Sequence, residues 1–263
     1  MTETTQYQVV KRGRNATFIN QVGTILWSDF CFLRRFWKRT VLTTLTLPML
    51  YLVAFGFGLG SVVEIDGSSY LLFVLPGIIA ITAMNTAYNT AGNKISIDKL
   101  FYKSFDELLM TPMGLTAICV GKALVGVIRG VFACTAFVIL GLIFAPGFTV
   151  NIAFIIATLL TLFAFSFMGV AVGIYAKNHQ DMATFSSLII MPMSFLGGTL
   201  FPVGAMPGFI QVFLYSLPLT NASQSMRDAI ISESVAWWSL LYLAIFSLIC
   251  FFVAQRLMKR VSL

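Results

Sequence analysis

The sequence predicts an all-α polytopic membrane protein. It should have six transmembrane helices, an N-terminal amphipathic interfacial helix and short re-entrant helices between spans five and six. Three observations predict it. Hydrophobic residues make up 58% of the 263 and charged residues only 10%, with a mean hydropathy of +0.89, whereas a soluble domain carries about 25% charged residues. Apolar stretches of roughly 20 residues, enough to cross a bilayer, recur along the chain. Lysine and arginine fall almost entirely on one set of alternating loops. The net charge of +7 is therefore read as positive-inside topology, and no nucleic-acid partner is expected.

Residues 1–39 form a polar, basic tail followed by an interfacial helix. Phe18, Val22, Ile25, Leu26, Phe30, Leu33 and Trp37 repeat every three or four residues from 15 to 39, and Arg34, Arg35, Lys38 and Arg39 cluster at the end. An aromatic and basic helix of this kind suits anionic headgroups. Asp29 interrupts it, which argues against a full span there. The tail has no apolar core followed by a small-residue cleavage site, so no signal peptide is expected.

The transmembrane domain should occupy residues 40–255. Span one is placed at 41–60, with Pro48 inside, and span two at 69–91, with Pro76 inside. Thr111-Pro112 reads as a helix start before span three at 115–144. Ala145-Pro146-Gly147 makes a turn into span four at 151–176. Span five, at 182–201, is broken at Pro192 and at Gly197-Gly198. Residues 202–234 hold three prolines and an apolar run at 209–219 that is too short to span, which suggests re-entrant or interfacial helices. Span six is placed at 235–255, and 256–263 form a basic tail.

All but three of the 17 lysines and arginines lie in the tails, the 93–113 segment or at Lys177. Arg227 falls on the opposite side with Glu64, Asp66, Asp228 and Glu233, and Lys122 and Arg129 lie within span three. The asymmetry puts both termini and the 93–113 loop in the cytoplasm.

That loop reads NKISIDKLFYKSFDELLMTPM. Ile97, Phe101, Phe105 and Leu108 recur at helical spacing, with Lys99, Lys103 and Asp106 on another face. It is predicted as one amphipathic helix that lies on the bilayer or docks in a groove of a soluble partner.

Chemistry is sparse. No phosphate-binding loop, metal-ligand spacing or catalytic triad is present, so no catalytic, cofactor or metal site is expected. Cys31, Cys119, Cys134 and Cys250 sit in apolar segments as small hydrophobes, and His179 is a loop residue without partners. No acid falls inside a predicted span, which disfavours proton- or sodium-coupled transport. Gly126 with Gly130 and Gly169 with Gly173 permit close helix packing, within the chain or in a dimer. Arg129 lies too deep in span three to reach the headgroups. Its expected partners are carbonyls freed near Pro76 or Pro192, Asn85, Asn89, or an anionic group on a solute. Lys122, one heptad nearer the end of the span, is expected to snorkel.

The stretch SFLGGTLFPVGAMPGFIQVFLYSLPLTNASQSMRDAI, residues 194–230, resembles the signature of ABC-2-type export permeases: a small-residue break and FP, an LP, then PL and an arginine. Here these are Gly197-Gly198, Phe201-Pro202, Met206-Pro207, Pro218-Leu219 and Arg227, with MP standing for LP. The segments at 47–60, 69–80 and 107–113, and Arg129-Gly130, also resemble the family, especially its drug and nodulation-factor exporter branch. The resemblance implies a permease homodimer in a bacterial inner membrane, bound to two copies of a separate ATPase that carries ATP and magnesium. It implies that 93–113 is the coupling helix, with Phe101, Phe105, Asp106, Glu107 and Leu108 at the ATPase. It also implies that the segment after span five caps the pathway from outside. The function classes are then an ATP-driven export permease, a secondary carrier or channel, and an intramembrane enzyme or assembly factor. The missing acids and missing catalytic groups favour the first.

Overall fold

The computed structural model describes residues 18–51, 53, 54, 58, 64, 65, 68–111, 113–145, 147–231 and 237–261. Among the described residues four helices are long and apolar enough to cross a membrane: α2 (Tyr70–Leu100), α4 (Leu115–Phe144), α5 (Ile152–Tyr175) and α10 (Trp237–Val261). They correspond to predicted spans two, three, four and six. Helix α2 is the core of the bundle, almost wholly buried from Tyr70 to Tyr88, and packs on α4 and α5, while α10 covers the far side of α5. The faces of α4, α5 and α10 that point outward stay apolar, among them Phe132, Ile152, Trp238 and Phe252. Such outward faces suit lipid.

Close approach of α2, α4 and α5 depends on glycine. A Cβ on Gly169 of α5 would lie 2.4 Å from the Tyr88 carbonyl oxygen of α2, and one on Gly126 of α4 would lie 2.8 Å from the Ala87 carbonyl oxygen. Gly130 faces Leu162 and Gly173 faces Gly92 in the same way. Both GxxxG pairs are therefore spent inside the chain.

Helix α1 (Phe18–Tyr51) runs unbroken across the boundary expected at 39. Residues Val22, Ile25 and Asp29 form its buried face against α4, and Phe18, Ile19, Trp27 and Phe30 face outward. Most of 52–60, the predicted end of span one, lies outside the described residues. Two-residue strands β1 (Glu64–Ile65) and β2 (Ser68–Ser69) pair antiparallel, Glu64 with Ser69, and lead into α2. This ribbon is a small departure from an all-α chain.

Predicted span five is a broken rod. Helix α6 (His179–Phe185) passes into a π-helical turn, Ser186–Ile190, and then α7 (Met191–Leu196). Proline at 192 cannot donate to the preceding turn and crowds its carbonyl, and a widened π turn relieves that conflict. Gly198 then takes φ +61. A 3-10 turn at Val203–Ala205 leads to α8 (Gly208–Tyr215) and α9 (Pro218–Ile231). Helix α9 is polar in sequence yet packed against α2, α5 and α10, with Leu219, Ala222 and Met226 buried alongside Thr220, Ser223 and Ser225. Residues 232–236, the end of the predicted segment and the start of predicted span six, lie outside the described residues.

The α5–α6 turn is held by a reciprocal cap. Asp181 Oδ2 accepts from the Lys177 and Asn178 amides, and Asn178 Oδ1 accepts from the Asp181 amide. Lys99 Nζ donates to the Ile174 and Ala176 carbonyls at 2.7 and 3.1 Å, satisfying orphan acceptors at the negative end of α5.

Candidate functional site: an elbow over a buried charge cluster

The predicted single helix over 93–113 is two helices with an elbow between them. Helix α2 continues to Leu100, Lys103 turns the chain at φ 52, and α3 (Ser104–Met110) follows. A non-glycine residue in the left-handed region is uncommon, so the periodicity of the segment concealed the break. The elbow splits the predicted apolar edge. Phe105 is 1% exposed and packs with Ile25, Ile95, Ile118 and Ile174, whereas Phe101 is 69% exposed. Leu108 is half-buried and Glu107 is exposed; the side chain of Asp106 lies outside the described residues. The outward apolar groups at this end are Phe101, Tyr102 and Met110.

Beneath the elbow four charges meet. Lys122 of α4 places Nζ 2.8 Å from Asp98 Oδ2 of α2 and 3.6 Å from Asp29 Oδ2 of α1. Lys94 of α2 places Nζ 3.2 Å from Asp29 Oδ1 and 3.4 Å from Asp98 Oδ1. Asp29, Asp98 and Lys122 are all at most 6% exposed. Snorkelling, the sequence expectation for Lys122, is therefore corrected: α1 brings a carboxylate to it, and a buried pair replaces the headgroup. The acids cannot be left unmatched at this depth, so the cluster ties α1, α2 and α4 at fixed register. Sequence reasoning missed it. The available signals were the i, i+4 spacing of Lys94 and Asp98 and the position of Asp29 on the buried stripe of α1.

Arg129 lies two turns further along α4, in a small groove between α1 and α4 lined by Leu26, Asp29, Phe30, Val125 and Ile128. Its Nε is buried and has no hydrogen-bond partner. Asn85 and Asn89 donate to Ile81 and Asn85 carbonyls of their own helix, α2.

At the other end of the bundle, Arg227 of α9 clamps the glycine break. Its Nε donates to the Phe73 carbonyl at 3.3 Å, and Nη2 donates to the Gly198 carbonyl at 3.1 Å. The guanidinium also stacks 3.7 Å from the Phe73 ring centroid. A Cβ on Gly197 would lie 2.8 Å from Leu219 Cδ2 and from the Met193 carbonyl oxygen. Pro202 caps the 3-10 turn, Pro207 precedes α8 and Pro218 opens α9, the last a favoured place for proline. Phe201 is half-buried between them. Gly198, Pro202 and Arg227 meet, with Phe73 and Thr220, around a cavity of about 200 Å³; Gly197, Phe201, Pro207 and Pro218 do not line it.

Among the described residues no group of three or more histidine, cysteine or acidic side chains could hold a metal. The arrangement suits mechanical linkage between two ends of a helical bundle. The chain is 27% identical over 230 residues to the inner membrane transport permease YadH of Escherichia coli strain K12, covering 84% of this chain and 90% of that protein. It is 28% identical over 240 residues to nodulation protein J of Rhizobium leguminosarum bv. viciae, covering 85% and 90%. Nodulation protein J of Sinorhizobium fredii strain NGR234 is 26% identical over 232 residues, covering 85% and 88%. The ABC-2 type transporter family matches residues 20–231, the stretch that holds the elbow, the charge cluster and the Arg227 clamp, and the chain belongs to that family.

Proposed function

We propose that the chain is the permease subunit of an ATP-driven exporter that moves an amphipathic or lipid-linked solute out of the cytoplasm or inner leaflet. ATP and magnesium are held by a separate ATPase, present in two copies on a permease homodimer in the bacterial inner membrane. On this reading α1 and the α6–α7 rod bring the spans to six, and the lysine and arginine bias supports both termini on the cytoplasmic side. The α8–α9 segment re-enters the membrane from outside.

The observation that carries this reading is the elbow. Phe101, Tyr102 and Met110 are large, exposed and apolar around a turn that also holds Lys103 and Glu107, a composition that fits a protein groove better than lipid. Behind them Phe105 and the Asp98–Lys122 pair fasten the elbow to α4 and, through Asp29, to α1. A push on the elbow would therefore be delivered to three helices at once. Membership in a family of transport components, together with the relative named for inner membrane transport, supports export over an intramembrane enzyme. The test is co-purification. A tagged permease should bring down an ATPase subunit, and Tyr102→Cys should cross-link to it. Transport that persists without any ATPase would favour a secondary carrier.

A further inference from the structure

Asp29, Asp98, Lys94 and Lys122 sum to zero charge, and Arg129 adds one positive charge to the same region of α1 and α4. Its depth makes that charge costly. Gly130 crosses α5 at Leu162, and α5 is 24 residues long, or roughly 36 Å, so the crossing lies near the middle of a helix that spans the bilayer. An arginine at that level is expensive unless matched. Asp29 lines the same groove, with Oδ1 3.2 Å from Lys94 and Oδ2 3.6 Å from Lys122, and both Asp29 Oδ2 and Arg129 Nε are buried without a hydrogen-bond partner. The groove has room for one or two oxygen-sized groups, about 30 Å³. Its mouth is apolar and outward-facing, with Phe30 and Ile128 exposed and Phe132 one turn further along.

We propose that this groove is an anion site. A phosphate or carboxylate oxygen of an amphipathic solute sits on the Arg129 guanidinium, while the apolar part lies along Phe30, Ile128 and Phe132. Arginine suits the task because its planar fork meets an oxyanion with two parallel donors. The proposal rests on the export reading above and narrows its solute to anionic amphipaths.

The test needs no ATPase, so its failure and the failure of the coupling scheme are separate events. Purified permease in neutral detergent is titrated with phosphatidic acid, phosphatidylcholine or inorganic phosphate, and thermal unfolding is followed. Phosphatidic acid at hundredfold excess over its Kd should raise Tm by about 5 °C or more. The rise should vanish in Arg129→Gln, persist in part in Arg129→Lys, and be absent with phosphatidylcholine. Leu26→Trp, which fills the groove and keeps every charge, should also abolish the rise and gives a second reading if Arg129→Gln fails to fold. Equal rises in wild type and these variants would overturn the site. An Arg129-dependent rise with inorganic phosphate alone would overturn the amphipathic ligand.

Discussion

Lys122 Nζ stands 2.8 Å from Asp98 Oδ2, with both residues 6% exposed. The pair joins the end of the most buried helix, α2, to α4. Removing one partner leaves an unmatched charge in a dry site, at a cost of about 3–5 kcal/mol. Lys122→Met is therefore expected to fall by that amount in reversible unfolding. Lys122→Met with Asp98→Asn should recover a large part of the loss, because both charges leave together. Asp29 remains to Lys94 in the double variant. Additive losses in the double-mutant cycle would show that the two side chains do not interact.

Helix contact makes the second prediction. Gly169→Ala forces a Cβ to 2.4 Å from a backbone oxygen of Tyr88, and overpacking of this kind costs about 1–3 kcal/mol. The upper end applies because a carbonyl in the middle of α2 cannot rotate away. Gly23→Ala is the matched control: it is helical, exposed and has nothing within 4 Å of its Cβ position. It should be neutral or gain up to about 1 kcal/mol. Thermal melts of the two variants in the same detergent read the difference.

Much of this was legible in the sequence, and each exception has its own physical cause. The four long apolar helices follow from hydropathy, and the Pro192 break and the turn at Gly198 follow from residues with special backbone behaviour. The elbow at Lys103 does not, because nothing in its chemistry demands a left-handed conformation, and periodicity carried across it. The cluster was hidden for a different reason. Asp29 and Lys122 are 93 positions apart and become partners only when α1 lies on α4. Composition marks such residues as charges in an apolar stretch; only the packing supplies the counter-ion. The two GxxxG pairs were equally open to internal or dimer packing until Tyr88 and Ala87 were found against them.

Arg227 should behave as a clamp on the outer segment. Arg227→Lys keeps the charge and loses the fork that reaches the Phe73 and Gly198 carbonyls. Hydrogen bonds to charged groups contribute about 1.5–3 kcal/mol, so stability should fall by roughly that much. Limited proteolysis should cut first within 198–207. A variant that is as stable and as resistant as wild type would show that the glycine break holds its shape without α9.

Topology is tested by labelling in a background without Cys31, Cys119, Cys134 and Cys250. Val150→Cys and Gly204→Cys, both exposed, should react with an impermeant thiol reagent added outside intact cells. Tyr102→Cys and Gln180→Cys, equally exposed, should react only after the membrane is opened. Outside labelling at 102 would invert the orientation derived from the lysines and arginines.

The central claim is that the elbow passes force from a separate ATPase into α2, α4 and α1. Phe101 and Phe105 lie four residues apart and separate the two roles, one outside and one inside. In proteoliposomes holding the permease and its ATPase, Phe101→Ala should leave the melting temperature unchanged and lower solute-stimulated ATP hydrolysis by about tenfold or more, the loss of an interface anchor worth roughly 2 kcal/mol. Phe105→Ala should instead lose about 3–5 kcal/mol of stability, as a buried phenylalanine does. Solute-stimulated hydrolysis that is the same in Phe101→Ala as in wild type, with the permease folded and bound, would contradict the claim.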